Sequence, residues 1–300
     1  MASTSLVDSL TGAIRRCAAQ FAFDLRRPAI VACSGGKDST ALLFLLRGLG
    51  VEVRPAIVDL GYDGFDAAAI VEGLTTHGFR PDILVPPSAG HHPKFLANLA
   101  LLRDPNVKSP CGPCSQTKRH ILIDFALRSR VAWIAMGHHR DDLVITLLKD
   151  YFVERYYKNH GRYEYSRFVS FVHDEQIDLT ELQEMVNRKS AATMSIQLAL
   201  GRGLSLIRPM AFVAEHAIEE FIRTLGVPTH GSGCSHDMFR NPNATPSKRE
   251  IVQKDYRRRG LDLSLGNVLL EIALSSLDSL GRIRFNPRQL RSVNCPYFEE

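Results

Sequence analysis

The stretch PAIVACSGGKDST, residues 28–40, decides the fold. Residues 28–33 form a short apolar run of the kind that makes a strand buried on both faces. Ser34, Gly35 and Gly36 follow as a turn, and from Lys37 to residue 49 the apolar spacing is helical. A strand that passes through adjacent glycines into a helix sets the helix N-terminus at the strand's carboxyl end. That N-terminus carries unpaired N–H groups and a partial positive charge, which suits an anion. The glycines let the main chain approach a phosphate closely. Ser34, Ser39 and Thr40 add hydroxyls, Lys37 adds a point charge, and Asp38 stands where a carboxylate can hold a magnesium ion on phosphate oxygens. The spacing is not that of the Walker loop, which needs a further glycine ahead of its Gly-Lys-Ser/Thr.

Working outward, the same alternation continues. Strand-like runs at 51–59, 81–85 and 131–136 alternate with helical spacing over 65–77, 91–102 and 116–128. Such βαβ text predicts an α/β fold, a doubly wound parallel sheet covered on both faces. An amphipathic segment over 6–23 is expected to pack on that sheet, and Trp133 to fill its core. Residues 151–203 read differently. Their first half is aromatic and basic, and their second half sets Leu179, Leu182, Met185 and Val186 on one helical face, so a mainly helical insertion is predicted. Strand text resumes at 204–207 and helix text at 214–225, and the last 40 residues read as helix followed by an irregular tail. The expected organisation is an N-terminal helical segment (1–27), a core (28–150), the insertion (151–203), and the remainder of the core with a helical tail (204–300).

With 300 residues, 45% of them hydrophobic and 23% charged, the chain has the composition of a globular protein with a sizeable core. No apolar run reaches the roughly 18 residues of a membrane helix, and the mean hydropathy is −0.09. The opening residues lack the charged and apolar regions of a signal peptide, so a cytoplasmic enzyme is expected. A net charge of +5 fits a polyanionic partner such as RNA, and equally a solvated basic surface.

Of six cysteines, Cys111 and Cys114 form a CxxC pair and Cys234 follows Gly231-Ser232-Gly233. Three thiolates suit a 4Fe–4S cluster with one open iron. They also suit a zinc site completed by His120, His236 or Cys295, or a catalytic dithiol. Cys17 and Cys33 read as packing residues. A second motif, Gly137-His138-His139-Arg140-Asp141-Asp142, follows the fourth strand, with Thr146 one helical turn beyond. It stands where open α/β sheets bind ligands. Arg140 is placed to brace a phosphate, and a carboxylate such as Asp141 to hold magnesium or accept from a ribose; a plain helix cap is the other reading.

SGGKDS resembles the signature of the PP-loop ATP pyrophosphatases. The order SGGKDS, CxxC, GHHRDD, Ile207-Arg208-Pro209-Met210 and one late cysteine resembles the tRNA 2-thiocytidine synthetase (TtcA) family, over roughly residues 28–150 and 204–240. The resemblance implies a sheet of adenine nucleotide α-hydrolase type. It implies ATP with its pyrophosphate in the loop from Ser34 to Ser39 and its adenine and ribose near Val58 and Asp59. Gly137, His138, Arg140 and Asp141 would stand beside the nucleotide, and Cys111, Cys114 and Cys234 would be the cluster ligands. An acceptor carbonyl oxygen, on cytidine in tRNA, would attack the α-phosphorus, and sulfide or a persulfide carrier would then displace AMP. Lys37, Asp38 and the three cysteines become the expected catalytic groups, with ATP, Mg2+ and a 4Fe–4S cluster as cofactors and a homodimer as the assembly.

Two features depart from that family. Gly231 stands where a second late cysteine is expected, which leaves three thiolates. The stretch between GHHRDD and IRPM is also longer, and an insertion beside the site is where a different acceptor would be read. Thiolation of a free nucleobase or natural-product amide, a sulfur-free PP-loop ligase, and a non-catalytic nucleotide-binding protein are therefore the rival expectations. The Tyr151–Arg167 stretch reads either as an RNA-stacking surface or as a half-buried helix and loop.

Overall fold

The first strand, β1 (Ala29–Ala32), lies inside a six-stranded sheet ordered β3-β2-β1-β4-β6-β5. The computed structural model describes residues 4–61, 65–86, 111–188, 193–230, 246–259 and 263–282. β2 (Val53–Val58), β3 (Asp82–Leu84), β4 (Trp133–Ala135) and β6 (Leu204–Ile207) run parallel to β1, and β5 (Gln197–Gly201) closes one edge antiparallel to β6. The strands are short and apolar because both faces are covered, and Ile30, Val31, Ile57 and Ile134 are buried.

Helices alternate with the strands: α1 (Thr4–Gln20), α2 (Lys37–Gly48), α3 (Ala67–Thr75), α4 (Cys111–Ser129), α5 (Arg140–His160), α6 (Tyr165–Asp174), α7 (Leu179–Asn187), α8 (Glu215–Leu225), α9 (Lys248–Arg258) and α10 (Leu263–Ser275). One layer, built on α1, α2 and α8, packs Ile14, Leu42, Leu46 and Ile218 in a single core. On the opposite face α4 lays Ile121, Leu122, Phe125 and Ala126 against Ile30, Ala56 and Ile134. The doubly wound sheet is as expected. β1 pairs with β2 on one side and β4 on the other, so strand order reverses there and a crevice opens at their carboxyl ends.

Three features differ from the sequence-based expectation. α5 runs unbroken through the expected boundary at residue 150, and Tyr151, Phe152 and Tyr156 on it are fully buried. The Tyr156 ring stacks on His160 at 4.6 Å and meets Phe168 edge-on at 5.1 Å. The aromatic and basic stretch is therefore mostly an interior seam rather than an RNA-stacking surface; of its rings, only Tyr157 and Tyr165 are exposed among the described residues. Phe152 and Tyr156 are four residues apart, a helical spacing that the charges between them masked.

The second difference is β5, a strand inside the supposed helical insertion. It is joined to β6 by Arg202 and Gly203, whose φ of 50° and 75° are the two positive values a type I′ hairpin turn demands. The third is that α4 begins at Cys111, so the CxxC pair is the first turn of a helix and does not precede it. The expected helix over 91–102, together with Cys234, His236 and Cys295, lies outside the described residues. Among the described residues no helix is long and apolar enough to cross a membrane.

Candidate active site

The loop between β1 and α2 is closed on its own serines. Ser39 Oγ donates to Gly36 O at 3.1 Å, accepts from Ser34 N at 3.2 Å and lies 3.3 Å from Ser34 Oγ. Gly36 caps α2 with no side-chain bond of its own, which leaves the first-turn N–H groups facing outward. Gly35 has φ +80°, and a Cβ there would lie 2.7 Å from Ile70 Cδ1; both the twist and the space require glycine. Thr40 is buried behind the loop, with its N–H on Gly36 O at 3.1 Å.

The turn after β4 lies directly against this loop. A Cβ on Gly137 would stand 2.9 Å from both Asp38 C and Ser39 N, so only glycine lets the β4 exit cross the first turn of α2. A cavity of about 370 Å³ opens where the two turns meet, within the range of small-ligand sites. Ala32, Cys33, Ala56 and Val58 form its apolar floor. Ser34, Asp38 and Ser39 line one wall, His138 and Asp142 another, and Lys118 and Leu122 reach in from α4. Cys114 is buried and lies on the same face of α4, one and two turns before those residues.

Behind the cavity is a charged network built from four helices. Lys37 Nζ bonds Asp38 Oδ1 at 2.8 Å and Glu215 Oε1 at 2.9 Å. Burial pulls the Lys37 ammonium down, but these two carboxylates outweigh it and raise its pKa. Glu215 moves the opposite way: burial resists ionisation, and Lys37 wins, lowering the carboxyl. The Glu215 N–H donates to Asp141 Oδ2 at 2.7 Å. Asp141 Oδ1 accepts from Tyr256 OH at 2.7 Å and from Arg140 Nη2 at 3.1 Å. Burial again opposes ionisation there, but the Arg140 charge and these bonds hold Asp141 below its usual range. Arg249, from α9, spans Asp142 Oδ1 at 2.8 Å and Thr146 Oγ1 at 2.7 Å.

Of the residues singled out in the sequence, Ser34, Asp38, Ser39, Val58, Gly137 and His138 line the cavity. Arg140 and Asp141 do not: they are buried, and Arg140 faces Asn267 on α10 at 3.1 Å. Asp59 also stands apart, accepting from Gly61 N at 2.8 Å at the end of β2. The Cys111 and Cys234 side chains lie outside the described residues. Cys33 lines the floor, yet burial pushes its thiol up to about 12, and Cys17 is likewise pushed to about 12. Both stay protonated at neutral pH, as packing residues would. His138 is pushed down to about 3, by burial first and then by the charge of Arg208, so its ring is neutral at physiological pH. Its Nδ1 has no partner among the described residues.

Sequence reasoning missed Lys118, Glu215, Arg249, Tyr256 and Arg257. Lys118 carried one usable signal, since it lies four residues after Cys114. Glu215, Arg249 and Tyr256 reach the site across more than 70 residues, Arg257 joins it through Glu215, 42 residues away, and nothing in their local text marks them.

Comparison with known proteins places the chain among relatives consistent with this geometry. A tRNA-cytidine(32) 2-sulfurtransferase of Geotalea uraniireducens is 36% identical over 130 residues, 41% of this chain and 48% of that protein. The protein of the same name from Paracoccus denitrificans is 27% identical over 218 residues, 69% of this chain and 59% of that protein. The chain thus matches about half the length of these curated relatives. No family model matches it. Among solved structures, the U34-tRNA thiolase NcsA from Methanococcus maripaludis, described with its 4Fe–4S cluster, aligns with a TM-score of 0.54 at 16% identity, over 90% of this chain and 78% of that one. That likeness shows the fold, a doubly wound and mostly parallel α/β sheet. The order of motifs and the sequence likeness agree: over the parts that match, the chain is similar to the tRNA-cytidine(32) 2-sulfurtransferases.

Proposed function

We propose that the chain is an ATP-dependent sulfurtransferase that adenylates a carbonyl oxygen on a tRNA base and replaces that oxygen with sulfur. One observation carries the reading. The serine-glycine loop, the Gly137–His138 turn and the CxxC helix all converge on a single cavity at the β1/β4 switch point. The names of the relatives support tRNA as the acceptor.

The cavity suits ATP. Its apolar floor of Ala32, Ala56 and Val58 accepts a flat base and keeps water from it, and the Ser34–Ser39 loop supplies main-chain and hydroxyl donors at its polar end. Lys37 sets an ammonium beside the charge that grows on departing pyrophosphate, and Asp38 is the proposed magnesium ligand. Attack by the acceptor oxygen on the α-phosphorus forms the P–O bond of the adenylate and breaks the bond to pyrophosphate. The neutral His138 ring, with Nδ1 unpartnered at the cavity wall, is placed to hydrogen-bond the acceptor or the α-phosphate without adding charge.

The first turn of α4 also fits an iron–sulfur centre. Cys114 is buried in the first turn of α4, on the helix face that reaches the cavity. Cys111, Cys114 and Cys234 would hold the cluster, which when bound would retain the sulfur delivered by sulfide or a persulfide carrier.

The test is pyrophosphate release from ATP by anaerobically purified protein, with and without bulk tRNA. Stimulation by tRNA, abolished in Lys37→Ala, is expected. Cys114→Ala should keep pyrophosphate release but lose the thiolated product. Turnover with free nucleobases or amides and none with tRNA would move the acceptor to a small molecule. Anaerobic protein without iron and sulfide would replace the thiolation by a sulfur-free ligation.

A further inference from the structure

Lys37 of the phosphate loop shares its carboxylate with a second cation. Glu215 Oε1 accepts from Lys37 Nζ at 2.9 Å and from Arg257 Nη2 at 2.7 Å, so two positive side chains from α2 and α9 meet on one oxygen. Their exposures differ. Glu215 is largely covered, with 14% of its side chain accessible, whereas Arg257 is 57% accessible and has room to swing. Its neighbours on α9 are tied down. Arg258 and Arg259 grip Asp255 and reach carbonyls at the end of α6, and Tyr256 is bonded to Asp141. Arg257 is therefore an exposed cation on a fixed helix, held beside the loop lysine by its pair with Glu215.

We propose that Arg257 is a second pyrophosphate-binding cation, and that Glu215 is its placeholder. The Glu215 carboxylate occupies the position between Lys37 and Arg257 that a phosphate oxygen takes when ATP binds. A pyrophosphate group carries several negative charges and offers the guanidinium two oxygens at once, so it outcompetes one carboxylate for both cations. Release of pyrophosphate lets Glu215 take both cations back, which keeps the product from lingering. The inference rests on the Ser34–Ser39 loop being the ATP site proposed above, and it adds a residue that the loop motif does not contain.

Calorimetric titration of the full chain, anaerobically purified, with magnesium pyrophosphate, Mg-ATP and AMP tests it. Arg257→Gln is expected to weaken pyrophosphate and ATP by about tenfold, the scale of one charge-assisted bond, and to leave AMP unchanged. Arg257→Lys should recover part of that loss. Glu215→Gln should act in the opposite direction and tighten pyrophosphate several-fold, because the competitor has lost its charge. A support role for Glu215 predicts weaker binding in Glu215→Gln, and that result would overturn the placeholder. Unchanged pyrophosphate affinity in Arg257→Gln, or an equal loss for AMP, would overturn the role of Arg257. Wild-type protein that binds none of the three ligands would instead sink the assignment of the loop, and this inference with it.

Discussion

Replacing Asp141 by Asn probes the charged network with no change in side-chain size. Asp141 accepts three hydrogen bonds: from Tyr256 OH and Arg140 Nη2 on Oδ1, and from Glu215 N on Oδ2. An amide must turn its NH2 toward one side. Facing Glu215 N it opposes a backbone donor, and facing Oδ1's partners it opposes a guanidinium. Either way at least one charge-assisted bond is lost, worth about 1.5–3 kcal/mol. Arg140, only 4% exposed, also keeps its charge while losing its ionic partner, a situation that costs about 3–5 kcal/mol when a buried pair is broken outright. Asn267 still accepts from Arg140 Nη1, which brings the expected total to about 3 kcal/mol. Urea unfolding followed by circular dichroism should then show a midpoint about 1 M lower, for a slope near 3 kcal/mol/M. The sign with pH follows from the depressed carboxyl. The wild-type advantage is full above the unfolded Asp value of about 3.9 and fades as pH falls through the lower folded value. An Asp141→Asn protein with wild-type stability but a raised KM for ATP would refute the reasoning and return Asp141 to the nucleotide.

Two further outcomes follow from the site. His138 has its folded pKa pushed to about 3, below the unfolded value of about 6.5, so it destabilises the fold progressively as pH drops from 6.5 toward 3. His138→Gln should flatten the urea midpoint over that window; an unchanged slope would mean that the ring charges freely in the folded state. Gly35→Ala would force a Cβ to within 2.7 Å of Ile70 at φ +80°, and should lower stability by about 1–3 kcal/mol while abolishing ATP binding. An alanine variant that binds ATP normally would show that the loop is not under that constraint.

The strands of the core and the helices α1, α2, α3 and α8 were legible in the sequence to within a few residues, because each buries a regular apolar pattern. Reading failed where pattern and environment diverged. Tyr151, Phe152 and Tyr156 sit among charges, so their text read equally as a surface or as a half-buried helix; their burial comes from α6 folding back on α5. β5 is one face of an edge hairpin, with only the Arg202-Gly203 turn to announce it. In the site, His139 looked like one more polar group at a strand end. Its backbone N–H instead donates to Asp142 Oδ2 in a capping box that starts α5.

By itself, the sequence determined the chemistry that local geometry can enforce. A strand followed by two glycines and a helix start makes a loop able to receive an anion, because close approach and a helix N-terminus are properties of consecutive residues. The CxxC pair belongs to the same class, since its two positions fall within one helical turn at the start of α4. The tertiary structure alone decided which charges surround that loop. Glu215, Arg249 and Tyr256 reach Lys37, Asp142 and Asp141, and Arg257 reaches Glu215, only after α8 docks on α2 and α9 on α5, while Asn267 of α10 and Tyr256 of α9 hold Arg140 and Asp141 away from the cavity. Electrostatic partners act over a few ångströms in space with no regard to distance along the chain, so no local pattern of residues records them.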